Sequence, residues 1–161
     1  MVRLVPMTDA EFETYTARLI PDYAQEHVEA GNWSPEEALE RSERQVRELL
    51  PEGPRTPNQF VYTIQDERTE TTVGILWFAR QQRRAAWEAY VYDIEIDEEY
   101  RRRGYGSDAF RALEEKVREL GLSTISLHVF GHNRAARAMY EGLGYVETDI
   151  WMSKTLDCGG A

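Results

Sequence analysis

The chain is poor in cysteine and histidine and has no long apolar run. Cys158 is the only cysteine among 161 residues, so an internal disulfide is excluded. It lies beyond the last expected strand with no basic neighbour to lower its pKa, and is not read as a nucleophile. His27, His128 and His132 form no H-E-x-x-H pattern, and no C-x-x-C pair exists, so no metal site is expected. No segment approaches the ~20 apolar residues of a membrane span. Met1-Val2-Arg3-Leu4-Val5-Pro6 has no signal-peptide core. A cytoplasmic protein without membrane association is therefore expected. Cations are also in deficit: 19 Lys and Arg against 29 Asp and Glu give a net charge of −10. That balance argues against a nucleic-acid partner. It is compatible with a cationic substrate, although solubility explains it more simply.

What is present suits one domain with its own core, given 161 residues of which 42% are hydrophobic. The domain is expected over 1–156, with 157–161 a frayed tail. A strand at 2–6 leads to a helix capped by Thr8, with Glu11 completing a capping box. Phe12, Tyr15, Leu19 and Ile20 form its apolar stripe, and Pro21 should kink or break it. Ser34-Pro35-Glu36-Glu37 reads as a second helix start, with that helix running to Leu50. Prolines 51, 54 and 57 mark a loop. Strands at 59–65 and 73–79 form a hairpin, 81–86 is a polar connection, and 87–96 is a further strand. Phe110, Leu113, Val117 and Leu120 make one face of the next helix. A strand at 123–130, a helix at 133–143 and an antiparallel pair at 145–148 and 151–156 complete the order. This is an α/β pattern with a mixed central sheet. Its two strands joined by the helix at 107–120 should run parallel.

The junction Arg101-Arg102-Arg103-Gly104-Tyr105-Gly106 stands between a hydrophobic strand and an amphipathic helix. Glycines let backbone approach a ligand, and a helix N-terminus offers unpaired N–H groups and positive charge. With arginines alongside, that is a cradle for a diphosphate. A Gly-Lys-Ser/Thr phosphate loop is absent. Gly104 to Ala109 fits the dinucleotide pattern G-x-G-x-x-A, but the acid expected about 20 residues on is missing from Ser126-Leu127-His128-Val129-Phe130. The remaining reading is R/Q-x-x-G-x-G/A.

That pattern, with the distal Leu127-His128-Val129-Phe130-Gly131-His132-Asn133, then Ala135, Ala136, Tyr140 and Gly142-Leu143-Gly144-Tyr145, resembles the GNAT acetyltransferase core. The resemblance covers roughly residues 90–156. It implies a single GNAT-like domain: a mixed sheet with a splayed parallel strand pair and helices on both faces. It implies acetyl-CoA as donor, held by main-chain groups of Ile94 and Ile96 and by Arg101, Arg102, Arg103, Gly104, Tyr105, Gly106 and Ser107. Asn133 and Ala136 would adjoin the pantetheine arm, although Asn133 also reads as an N-cap. At least one of the three arginines is expected to pair on the surface, Arg102 or Arg103 with Glu98 or Glu99. Tyr140 would protonate the departing thiolate in a direct transfer to a primary amine.

An amine must lose a proton to attack, so a base is sought. Asp93 and Glu95 share one face of the 87–96 strand by alternation, opposite Tyr92, Ile94 and Ile96. His128 is the rival, and the three stay open, as does a water chain. A β-bulge in this strand would change which side chains face the cleft. Two other functions are weighed: a non-catalytic acyl-CoA-binding module on the same scaffold, and a dinucleotide-dependent reductase. The acceptor, a small molecule or peptide amine, carries no readable motif. Trp33 covering its site is one guess, and a homodimer is one assembly left open.

Overall fold

The computed structural model describes residues 1–157 and 159, so Cys158 and part of the expected tail lie outside the described residues. The chain divides into two compact units, Met1–His128 and Val129–Ala161. The first holds β1 (Val2–Pro6), α1 (Asp9–Glu29), α2 (Ala38–Leu49), β2 (Gln59–Asp66), β3 (Thr72–Arg83), β4 (Ala86–Ile96), α3 (Tyr105–Glu119) and β5 (Ile125–Leu127). The second holds α4 (Arg134–Gly142). The sheet order is β1-β2-β3-β4-β5. Its first three pairings are antiparallel and β4–β5 is parallel. This is the expected mixed sheet.

Alternation along the strands sends Val61, Ile75 and Trp77 to one face, where they cluster with Tyr15 of α1 and with Val46 and Leu50 at the end of α2. Tyr62, Leu76 and Phe78 take the other face, and α3 packs against β1 and β4 with Phe110, Leu113 and Val117 buried. Helix α1 begins as its sequence demands. Thr8 Oγ1 accepts from the Glu11 N–H, and Glu11 accepts from the Thr8 N–H at 2.8 Å.

Four expectations change. Pro21 does not break α1, which runs unbroken from Asp9 to Glu29. Its apolar face continues past the proline to Ala24, which packs with Trp33 and Ala38, and Ser42 Oγ donates to the Ile20 carbonyl at 2.7 Å. Packing on both sides offsets the roughly 3 kcal/mol that an internal proline costs. Helix α2 starts at Ala38, after a turn over 35–37. The supposed connection at 81–86 is a continuation of the β3–β4 hairpin, with Arg83 opposite Ala86. Arg80 lies over the Trp87 ring at 4.4 Å, so cross-strand cation–π packing sustains a segment that reads as polar. Finally, β5 covers only Ile125–Leu127, and 145–148 and 151–156 form no strand pair. A two-stranded pair is marginal without a further strand or helix to cover it, and α4 is the one regular element described in that unit.

Candidate functional site

The site is built where β4 outruns its neighbour. Parallel pairing joins Ala89, Tyr90 and Val91 to Ile125, Ser126 and Leu127, then stops while β4 continues to Ile96. The Asp97 N–H donates to the Val73 carbonyl at 2.8 Å. In the same register Glu95 lies opposite Ile75 and Asp93 opposite Trp77. The alternating ladder therefore turns the main-chain groups of Ile94 and Ile96 away from β3, toward the side where β5 has ended. Gly74 permits the close approach of β3 here, since a Cβ at that position would meet the Glu95 carbonyl oxygen at 2.1 Å.

The register slips between Trp77/Asp93 and Phe78/Val91, which leaves Tyr92 as a bulge. Tyr92 consequently lies on the face of Asp93, not opposite it as strict alternation required. Its ring stacks on Trp77 at 4.4 Å and packs against the cluster containing Tyr15. Asp93 is partly buried on this face and accepts a hydrogen bond from Tyr15 Oη at 2.8 Å. Burial pushes its carboxyl up to about 6, with Glu95 and Glu26 adding to the rise and the Tyr15 hydrogen bond and Arg18 opposing it. Tyr15 is itself raised, first by burial and then by the carboxylate beside it.

Glu95 has different company. Arg18 reaches it at 3.5 Å and Arg101 at 3.2 Å, and Arg18 also approaches Asp97 at 3.8 Å. These side chains, with Glu98 and Glu99, line an open cleft of about 640 Å³. Arg101 Nε donates to the Ile96 carbonyl at 2.9 Å, so one outward group of β4 is already engaged. The surface pairing expected of Arg102 or Arg103 thus falls to Arg101, with Glu95 as partner. Arg103 lies over the Tyr100 ring at 5.8 Å.

Gly104 caps α3 with φ 87°, a conformation that favours glycine, and no side chain caps the helix. The first N–H groups of α3 lack intrahelical partners. The Tyr105 hydroxyl is committed to Asp66 at 2.8 Å, so only its backbone is presented at the helix start. Asp66 is held down to about 2, first by the Thr69 N–H and then by that hydroxyl. The β2–β3 turn is thereby tied to the first residue of α3. Gly106 and Ser107 follow within the first helical turn.

His128 is exposed, one residue past β5. Its charge lowers the pKa of His27, after the larger effect of burial. The His27 ring stacks on Trp33 at 3.9 Å. In the second unit Asn133 caps α4, accepting from the Ala136 N–H at 3.2 Å. Tyr140 lies within α4, edge-on to Tyr145 with ring centres 5.8 Å apart. Two site side chains carried no mark in the sequence. Tyr15 reads as one more member of an apolar stripe, and Arg18 as a solvated charge one turn further on.

The Acetyltransferase (GNAT) family model matches residues 18–145. The chain belongs to the GNAT acetyltransferase family. Among its GNAT relatives, the uncharacterized N-acetyltransferase YycN of Bacillus subtilis is 39% identical over 155 residues, covering 96% of this chain and 99% of its own. The crystal structure of YycN matches with a TM-score of 0.89 and 38% identity, over 97% of this chain and 99% of that one. The ribosomal protein bS18-alanine N-acetyltransferase of Escherichia coli is 36% identical over 63 residues, 39% of this chain and 43% of that enzyme. The structure of AAC(6')-Iy in complex with the bisubstrate analog CoA-S-monomethyl-acetylneamine shares the fold at 11% identity, with a TM-score of 0.61 over 98% and 99% of the two chains. Acetyl transfer is supported at the level of the GNAT family, and the relatives identify no acceptor for this chain.

Proposed function

We propose that this protein transfers an acetyl group from acetyl-CoA to a primary amine, with Asp93 as base and Tyr140 as acid. The observation that carries this reading is the end of β4. Outward main-chain groups of Ile94 and Ile96 and the uncapped N-terminus of α3 lie within a dozen residues of one another in the sequence. Unpaired amides at a helix start favour a diphosphate, and a glycine at φ 87° brings backbone close without a side chain in the way. These features fit the coenzyme. Ile94, Ile96, the amides of Gly104, Tyr105, Gly106 and Ser107, and the guanidinium groups of Arg102 and Arg103 would hold it. Arg101 is engaged with Glu95 and the Ile96 carbonyl. By family resemblance Asn133 and Ala136 would adjoin the pantetheine arm. When bound, the coenzyme supplies an activated thioester.

The roles of the remaining residues follow from acidity. A carboxyl raised from its ordinary 3.8 to about 6 is a stronger base by about two units, or about 3 kcal/mol. It stays ionised near neutral pH, as a general base must. Glu95 is engaged by two arginines in ion pairs, and His128 is exposed past the end of β5. Asp93 is the better base for those reasons. Tyr140 is assigned the proton donor to the leaving sulfur. A phenol near ~10 giving to a thiolate near ~8.5 is uphill by only about 2 kcal/mol. The −10 net charge suits a cationic acceptor drawn to the cleft.

Calorimetry tests the donor half. Acetyl-CoA is expected to bind, and replacing both Gly104 and Gly106 by valine is expected to abolish binding. Undiminished binding in that variant would refute the cradle. Binding without thiol release for any amine would favour an acyl-CoA-sensing module instead.

A further inference from the structure

We infer that Tyr15 is a positioning residue for the base, fixing one carboxylate oxygen of Asp93 so that the other faces an incoming amine. The inference rests on the reading of Asp93 as that base. Tyr15 is 4% exposed and wedged among Met7, Val46, Leu50, Val61, Ile75 and Trp77, so its hydroxyl has little freedom. It donates to Asp93 Oδ2 at 2.8 Å, and no other side-chain hydrogen bond reaches Asp93 among the described residues. Asp93 lies opposite Trp77 on the sheet face that α1 covers, and the bulge brings Tyr92 onto that face, where its ring stacks on Trp77. Oδ1 is then left to take the proton. The N–H bond of the amine breaks, its electron pair stays on nitrogen, and the proton moves to Oδ1, from which solvent later removes it.

The charges facing Asp93 are Arg18 and Glu26 from α1 and Glu95 from β4, with Tyr15 and Tyr92 as titratable phenols on the same face. Val46 and Leu50 at the end of α2, Val61 of β2, and Ile75 and Trp77 of β3 complete the surroundings and carry no charge. A buried phenol donating to a carboxylate stabilises its ionised form, so the hydroxyl tunes the base as well as aiming it.

The experiment is Tyr15→Phe, which keeps the ring and removes the hydroxyl. With an amine substrate found by screening, the acid limb of the kcat/KM profile is expected to move up by about one pH unit, the equivalent of one charge-assisted hydrogen bond. The rate at pH 6.5 should fall about 3-fold from this shift alone, the rate at pH 9 should also fall as the carboxylate loses its aim, and the KM for acetyl-CoA should stay within about 2-fold, which also shows that the variant folds. Carbon-13 titration of the aspartate carboxyls, with Asp93 assigned by its loss in Asp93→Asn, is read in parallel. A rise in both the Asp93 midpoint and the acid limb supports the inference. An unmoved midpoint overturns it. A midpoint that rises while the rate profile stays in place overturns Asp93 as base, and this inference with it, but leaves acetyl transfer standing.

Discussion

Replacing Asp93 by asparagine removes a charge that the fold holds against its own stability. The carboxyl titrates at about 6 in the folded protein and near 3.8 when unfolded. The native state therefore binds the proton more tightly. The stabilising contribution of this group is complete below about pH 4 and is lost as pH rises through about 6. Two units at 1.36 kcal/mol each put the loss at about 3 kcal/mol, a ceiling because Asp93 keeps some contact with solvent. Asparagine still accepts the Tyr15 hydroxyl, as a neutral and weaker partner, and carries no charge. Urea unfolding at pH 7.5 is expected to show Asp93→Asn more stable than the parent by 1–3 kcal/mol, and thermal unfolding to show Tm higher by about 3–10 °C. The advantage should vanish at pH 4, and acetyl transfer at pH 7.5 should be diminished. A variant less stable than the parent at pH 7.5 would refute the reasoning, because Asp93 would then be a favourable structural pairing.

Gly74→Ala places a methyl group 2.1 Å from the Glu95 carbonyl oxygen, so β4 must move. A loss of about 1–3 kcal/mol in urea unfolding is expected, with weaker acetyl-CoA binding by calorimetry. Gly104→Ala forces a side chain to φ 87° and should cost about 1–2 kcal/mol, read by the same unfolding assay. Asn133→Ala removes the cap of α4 and should lower its stability by about 0.5–2 kcal/mol, seen as faster amide exchange in that helix. Tyr140→Phe is expected to lower kcat about 100-fold with little change in the KM for acetyl-CoA, and an unchanged kcat would remove Tyr140 from the chemistry.

Much of this was legible because local chemistry dictated it. The Thr8/Glu11 capping box, the Asn133 cap and the buried face of α3 all follow from spacing that acts within one or two turns. The Arg-Gly junction does start a helix, and the parallel pair does end early on one side. Features that depend on distant partners were not legible. Tyr15 and Asp93 are 78 residues apart, and nothing in either neighbourhood reveals the other. A bulge in this strand is anticipated, but its place at Tyr92 is not, because a one-residue slip keeps the same residue types while changing their faces. Arg101 was grouped with its two neighbours by composition, yet it turns back along β4 to Glu95 and the Ile96 carbonyl. The 81–86 segment misled because arginines in it and beside it lie over aromatic rings across the hairpin, Arg83 over Tyr90 and Arg80 over Trp87.

The most direct measurement mixes the protein with acetyl-CoA and a panel of amines, namely peptide N-termini, lysine, polyamines and aminoglycosides. Free thiol and acetylated product are followed together. Equal amounts of thiol and N-acetylated amine with at least one member are expected, diminished by Asp93→Asn and by Tyr140→Phe. Coenzyme bound but never cleaved across the whole panel, or thiol released with no acetylated amine, would contradict the account.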